Sequence, residues 1–208
     1  GRDQLAEFEV GAGTDGRLLA LKVKLWQDLG AYHQLLTPVI PTLTVLMLPG
    51  CYTVKDVAVE LKGVFTDKTP TDAYRGAGRP EATFIIERVM DLIAAATGKD
   101  PAEVRRLNFP AANAFPYPTA TGLTYDSGNY QGTLDKLLEK ADYAKLRKEQ
   151  AEQRAKGGLM GIGLSTYVEV CGLGPSAAMP AGGWEAWKKQ GCHDTATPTL
   201  RTRLGVSE

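Results

Sequence analysis

The chain has 208 residues, 43% of them hydrophobic and 23% charged, which is ordinary globular usage and enough length for one large or two small domains. Its 24 Lys+Arg balance 24 Asp+Glu, so the broad positive field that a nucleic-acid binder relies on is missing and no polyanionic partner is expected. Cys51, Cys171 and Cys192 are odd in number and too scattered for a zinc or iron–sulfur set, pointing to a reducing, cytoplasmic setting, and the most apolar run, 38–49, is broken by Pro41, Thr42 and Thr44 before it could span a bilayer.

At the amino end, Gly1-Arg2-Asp3-Gln4 has neither an initiator methionine nor a signal-peptide build and enters strand-like sequence at once, so an internal piece of a longer chain is expected. Phe8 and Val10, the turn Gly11-Ala12-Gly13-Thr14-Asp15-Gly16, and an alternating run over 19–26 predict a hairpin. Its second strand would place Leu19, Leu21, Val23 and Leu25 on one face and Lys22, Lys24 and Trp26 on the other. Residues 53–64 alternate again, with a slip between Val54 and Val57 that requires a bulge or a late strand start.

Next comes Ala73-Tyr74-Arg75-Gly76-Ala77-Gly78-Arg79-Pro80-Glu81, a turn with two glycines and two arginines that runs straight into an apolar helix. Glycine permits backbone angles closed to other residues and lets a ligand approach the main chain, while a helix start leaves N–H groups unpaired. The segment therefore reads as a cradle for an oxyanion or a polar cofactor, although its spacing fits neither standard phosphate loop. The plainer alternative is a tight turn with solvated or ion-paired arginines.

Pro80 at a first helical position, Glu81 near the helix start and Phe84, Ile85, Val89, Leu92, Ile93 and Ala96 on one face predict a helix over 80–97, stopped by Gly98. Asp100-Pro101-Ala102-Glu103 reads as a capping box for a shorter helix ending near Leu107. Residues 108–129, with Pro110, Pro116, Pro118, Gly122 and Gly128, read as a long connection that includes a short strand over 121–125. A helical segment over 133–156, broken near Asp142, would bury Leu134, Leu137, Leu138, Tyr143 and Leu146. Residues 160–171 read as a buried strand whose alternate glycines clear one face for another backbone or a ligand. Glu169, the only charge in that run, is either a general base or an inward carboxylate paired with Arg75 or Arg79. The fold class expected is α+β: mixed, mainly antiparallel strands with a central amphipathic helix and a second helical segment.

The Ala73 to Ala82 turn, the earlier Gly30-Ala31-Tyr32, the connection Asp126-Ser127-Gly128-Asn129-Tyr130, and Gly161-Ile162-Gly163 through Val168-Glu169 together resemble the molybdenum-binding large subunit of the xanthine dehydrogenase, aldehyde oxidase and carbon monoxide dehydrogenase family. The resemblance runs over 1–185 and implies a partial molybdopterin-binding domain; 186–208 read as a divergent tail, out of frame or prematurely ended. In that tail Cys192 and His193 read as neighbours without a metal role.

The resemblance implies a molybdenum–pterin cofactor, molybdopterin cytosine dinucleotide, that inserts oxygen from water into a substrate C–H bond and passes electrons to an iron–sulfur small subunit and an FAD-binding medium subunit. It assigns Arg75 to the substrate side and Tyr74, Gly76, Ala77, Gly78 and Arg79 to the cofactor, with no protein side chain as a direct metal ligand. Carbon monoxide dehydrogenases proper place a copper-binding cysteine directly after this arginine. Gly76 stands there instead, and neither Cys51 nor Cys171 replaces it, so aldehydes, purines or other N-heterocycles are the implied substrates. The family's upstream pterin loop, its later cofactor loops and its general-base carboxylate have no counterpart in these residues, so the chain is expected to be inactive alone. The alternatives are a non-catalytic binding or assembly module that keeps part of the pterin surface, or an unrelated anion-binding domain.

Overall fold

A computed structural model describes residues 3–170, and the chain divides into two units, Gly1–Tyr167 and Val168–Glu208. In the first unit, β1 (Gln4–Ala12), β2 (Leu18–Gly30) and β3 (Asp56–Phe65) form one sheet, with α1 (Val39–Met47) between the second and third strands in sequence. Helices α2 (Arg79–Thr97) and α3 (Pro101–Asn108), a small hairpin of β4 (Tyr117–Pro118) and β5 (Thr124–Tyr125), and helices α4 (Tyr130–Lys140) and α5 (Tyr143–Ala155) follow. β1 and β2 pair antiparallel, β4 and β5 likewise, while β3 lies parallel to β2, so the α+β reading with mainly antiparallel strands stands. β3 starts late, at Asp56, which is why its alternation slips after Val54.

Alternation builds the sheet's two faces. The register aligns Val10–Leu21–Val57, Phe8–Val23–Val59 and Ala6–Leu25–Leu61 as inner rows, and Glu7–Lys24–Glu60 as an outer row of alternating charge. Leu19 departs from expectation: it is exposed, and Leu18 is buried in its place. The cause is the register shift at Gly11/Ala12, which sets Ala12 opposite Leu18 and turns the strand's first residues over.

Helix α2 packs against α1, β1 and α3 and buries Ala82, Ile85, Ile86, Val89, Met90 and Ile93. Phe84, Leu92 and Ala96, expected on the buried face, are exposed, because the helix has neighbours on two sides and its buried arc turns toward Ile86 and Met90. Asp100 caps α3 by accepting from the Ala102 amide at 2.8 Å, but Glu103 bonds Lys99 at 3.2 Å instead of completing the box. The long connection is laced onto the end of α1: Thr121 Oγ1 donates to the Leu46 carbonyl at 2.6 Å and Tyr125 Oη to that of Gly50 at 2.6 Å, satisfying acceptors that a helix end leaves open.

The break between α4 and α5 falls at Asp142, which has a positive φ, as the sequence predicts. Of the expected stripe Leu134 is buried, Leu138, Tyr143 and Leu146 are half-buried and Leu137 is exposed, since these short helices touch the rest of the unit along a narrow contact with α3. Residues 160–170 form no strand with any described residue. Their burial alternates as in a strand, but the polar partners are side chains: the Leu164 carbonyl accepts from Arg105 at 2.8 Å, and the Thr166 amide donates to Glu87 at 2.9 Å. Gly161 and Gly163 face open space, with no described atom within 4 Å of an added Cβ. Cys171, the tail from 186 onward and its Cys192 and His193 lie outside the described residues.

The approach to the turn is held by Asp28, whose carboxylate accepts from the Gly30 amide at 2.9 Å and the Thr66 hydroxyl at 2.7 Å and pairs with Lys68 at 2.9 Å. Lys68, then Thr66 and Gly30, hold its pKa down at about 2. A carboxylate depressed on folding stabilises above its ordinary pKa and loses that contribution as pH falls through the folded value. We therefore expect Asp28→Asn to flatten the loss of thermal stability between pH about 4 and about 2, read as melting midpoint against pH.

Candidate functional site

The turn ahead of α2 is built from consecutive left-handed residues: Gly76, Ala77 and Gly78 have φ of 97°, 42° and 98°. Glycine tolerates this, but Ala77 holds it at a cost that its surroundings must offset. The Ala77 amide donates to the Tyr74 carbonyl at 2.8 Å and that of Arg79 to the Gly76 carbonyl at 2.9 Å, an acceptor shared with Arg79 Nε at 2.9 Å. Among the described residues no acceptor takes the N–H of Gly76 or Gly78. Half of the cradle's amides are thus spent on the turn and half remain for another acceptor.

Position explains the glycines. Gly78 is buried against α1, and an added Cβ would lie 2.0 Å from the Ile40 carbonyl oxygen and 2.9 Å from the Thr44 amide. Both obstacles are backbone, so neither can step aside. Gly78→Ala is therefore expected to destabilise the fold by at least about 1–3 kcal/mol, measured by chemical denaturation.

The assigned side chains stand at the surface: Tyr74 is 80% exposed and Arg75 is exposed. Among the described residues no carboxylate pairs with Arg75, so its charge remains available, whereas Arg79 is half-buried and folded onto the turn. Three residues ahead of Tyr74, the buried Thr71 hydroxyl has no hydrogen-bond partner among the described residues. An uncommitted guanidinium, two open amides and an orphaned hydroxyl in one stretch suit an oxygen-rich ligand. Among the described residues no group of three His, Cys, Asp or Glu side chains is disposed to hold a metal, so the turn offers donors to a ligand rather than ligands to an ion.

A buried ionic network, which sequence reasoning passed over, joins α2 beyond the turn to α3. Arg105 is 0% exposed; its Nε donates to Glu87 Oε2 at 2.9 Å and its Nη2 to Asp91 Oδ1 at 2.9 Å. Glu87 also accepts from the Tyr52 hydroxyl and the Thr166 amide. Burial pushes the Tyr52 phenol far above its ordinary range, keeping it a donor, and pushes the Cys51 thiol up to about 12, which fits the inert, buried role expected of that cysteine. The available signal was Glu87, a carboxylate five residues after Ala82 and two before Val89 on the helix's buried arc. Glu169 is exposed and belongs to the second unit.

The family described as molybdopterin cofactor-binding domain matches residues 1–109. The carbon monoxide dehydrogenase large chain of Hydrogenophaga pseudoflava is 40% identical over 84% of the chain and 22% of its own length. The 6-hydroxypseudooxynicotine dehydrogenase complex subunit gamma of Paenarthrobacter nicotinovorans is 32% identical over 83% and 22%. Among solved structures, quinoline 2-oxidoreductase from Pseudomonas putida 86 superposes with a TM-score of 0.77 at 34% identity, covering 84% of this chain and 22% of that one.

The chain belongs to the molybdopterin cofactor-binding domain family, within the xanthine dehydrogenase and carbon monoxide dehydrogenase group of molybdenum oxidoreductases. It spans about a fifth of the length of these relatives, 22% in each.

Proposed function

We propose that this chain supplies one wall of the active site of a molybdenum hydroxylase large subunit that inserts water-derived oxygen into a C–H bond of an N-heterocycle, a purine or an aldehyde. The observation that carries the reading is the turn itself, with the Gly76 and Gly78 amides uncommitted beside an Arg75 that has no ion-pair partner among the described residues. Tyr74, Gly76, Ala77, Gly78 and Arg79 would hold a molybdenum–pterin group in its cytosine dinucleotide form. When bound, that group supplies the oxygen transfer and takes up the substrate's electrons.

The protein's share is electrostatic. Open N–H donors fix oxygen ligands at the turn, and the Arg75 guanidinium, charged at every working pH, orients the substrate and stabilises negative charge that develops on it. Gly76 directly after Arg75 leaves no thiolate for copper, so carbon monoxide is not the proposed substrate despite the name of one relative. The 208 residues are inactive by themselves on this reading; turnover requires the rest of a large subunit with its iron–sulfur and FAD-binding partners, in the cytoplasm.

The test is to assemble a full-length large subunit carrying these residues with such partners in a host that makes the cofactor. Stoichiometric molybdenum and pterin are expected, with turnover of quinoline, hypoxanthine or benzaldehyde and none of carbon monoxide. Absence of both metal and pterin, or oxidation of carbon monoxide, contradicts the proposal.

A further inference from the structure

The inner face of the sheet ends in a polar row where an apolar one would continue. Gln27 follows Leu21, Val23 and Leu25 on the inward side of β2 and is 1% exposed, with Gln4 of β1 opposite it. Burying amides costs free energy unless their hydrogen bonds are made. Here they are made in a directed chain: Gln27 Nε2 donates to the Asp28 carbonyl at 2.7 Å, and Gln4 Nε2 donates to Gln27 Oε1 at 2.7 Å and to Thr44 Oγ1 at 3.0 Å. Thr44, fully buried on α1, has one proton to give. Its nearest acceptor is the Gly78 carbonyl at 3.0 Å, ahead of the Ile40 carbonyl at 3.2 Å. The same carbonyl accepts the Ala82 amide of α2 at 3.0 Å.

We infer that Thr44, supported by Gln4 and Gln27, is a positioning residue for the Tyr74–Arg79 turn; its importance for cofactor retention rests on the function proposed above. The chain of bonds crosses from β2 through β1 and α1 to the one carbonyl at which turn and helix meet. It fixes the Gly78 peptide from the α1 side, so the left-handed run from Gly76 to Gly78 is held by the core and need not be held by the ligand. A site preorganised in this way spends less of its binding energy on ordering. Thr44 touches neither substrate nor cofactor on this account; it acts through Gly78.

The test compares wild type, Thr44→Val and Thr44→Ser in a full-length large subunit carrying these residues, first without cofactor and then after expression in a cofactor-making host. Valine keeps the shape and removes the hydroxyl; serine keeps the hydroxyl. In the cofactor-free proteins, hydrogen exchange at the Ala77 and Arg79 amides, both bonded inside the turn, is expected to speed up about five- to tenfold in the valine variant, the loss of one net hydrogen bond. Exchange in the β1–β2 ladder should stay at the wild-type rate, and serine should restore the turn. Pterin content, read by fluorescence after release, should fall in the valine variant alone.

Unchanged exchange at the turn overturns the inference. So does faster exchange throughout the unit, which would make Thr44 a general stability residue, and so does full pterin retention despite a loosened turn. If the full-length wild type itself takes up no pterin, the functional reading fails, while the local exchange result still decides whether Thr44 holds the turn.

Discussion

Arg105→Ala is expected to destabilise this protein by about 3–5 kcal/mol, the usual consequence of stranding a buried charge by removing its partner. Arg105 is fully buried, and its guanidinium meets Glu87, Asp91, and the carbonyls of Pro101 at 3.1 Å and Leu164 at 2.8 Å. Alanine would leave the Glu87 carboxylate in the core with, among the described residues, the Tyr52 hydroxyl, the Thr166 amide and the Thr166 hydroxyl as donors. The extended segment that carries Leu164 and Thr166 would lose the Leu164 bond to α3 and keep its Thr166 bonds to Glu87 of α2. In denaturant melts the midpoint should fall with little change in slope, while Arg105→Met combined with Glu87→Met should recover much of the loss because both charges leave at once. The neighbouring pair Arg106–Asp135 lies at the surface, and Arg106→Ala should cost less than about 1 kcal/mol. A comparable cost at both arginines would mean that the buried network is not what holds the segment.

Arg75→Ala should do the opposite: spare the fold and remove activity. The side chain is exposed and has no ion-pair partner among the described residues, so the melting midpoint should move by no more than a surface substitution allows. In an assembled enzyme carrying this loop, turnover should fall by about a hundred- to a thousandfold, the range seen when one preorganised donor to developing charge is removed. Lysine should restore only part of the activity, because it keeps the charge and loses the planar fork. If activity survives while stability drops, Arg75 is a structural residue.

What could be read from the sequence followed from local rules. The hairpin, the start of α2 at the glycine turn, the Asp100 cap and the break at Asp142 each depend on a few adjacent residues, and the structure places them where expected. Helix α1 was not foreseen, because Pro41 and two threonines masked it; Pro41 falls in the first turn, where its missing N–H has no helical partner to lose. Errors of face had another cause. Leu19 was misplaced by a bulge, and Phe84 and Leu92 by the two-sided packing of α2; both depend on residues distant in sequence. The turn at the centre of the proposed site was legible because its glycines and arginines stand in nearly consecutive positions. Its supports were not: Gln4, Gln27, Thr44 and Glu87 are ordinary polar residues until the fold brings them together, and a polar residue at an inward position was the only available sign.

The central claim is that the turn before α2 holds oxygen atoms of a molybdenum–pterin group through amides the protein leaves open. Residue-resolved hydrogen exchange on a full-length large subunit carrying this turn, prepared with and without the cofactor, tests it most directly. The account predicts strong protection of the Gly76 and Gly78 amides on loading and little change at Ala77 and Arg79, whose hydrogens are already bonded within the turn. Equal exchange at Gly76 and Gly78 in the loaded and empty proteins would contradict it.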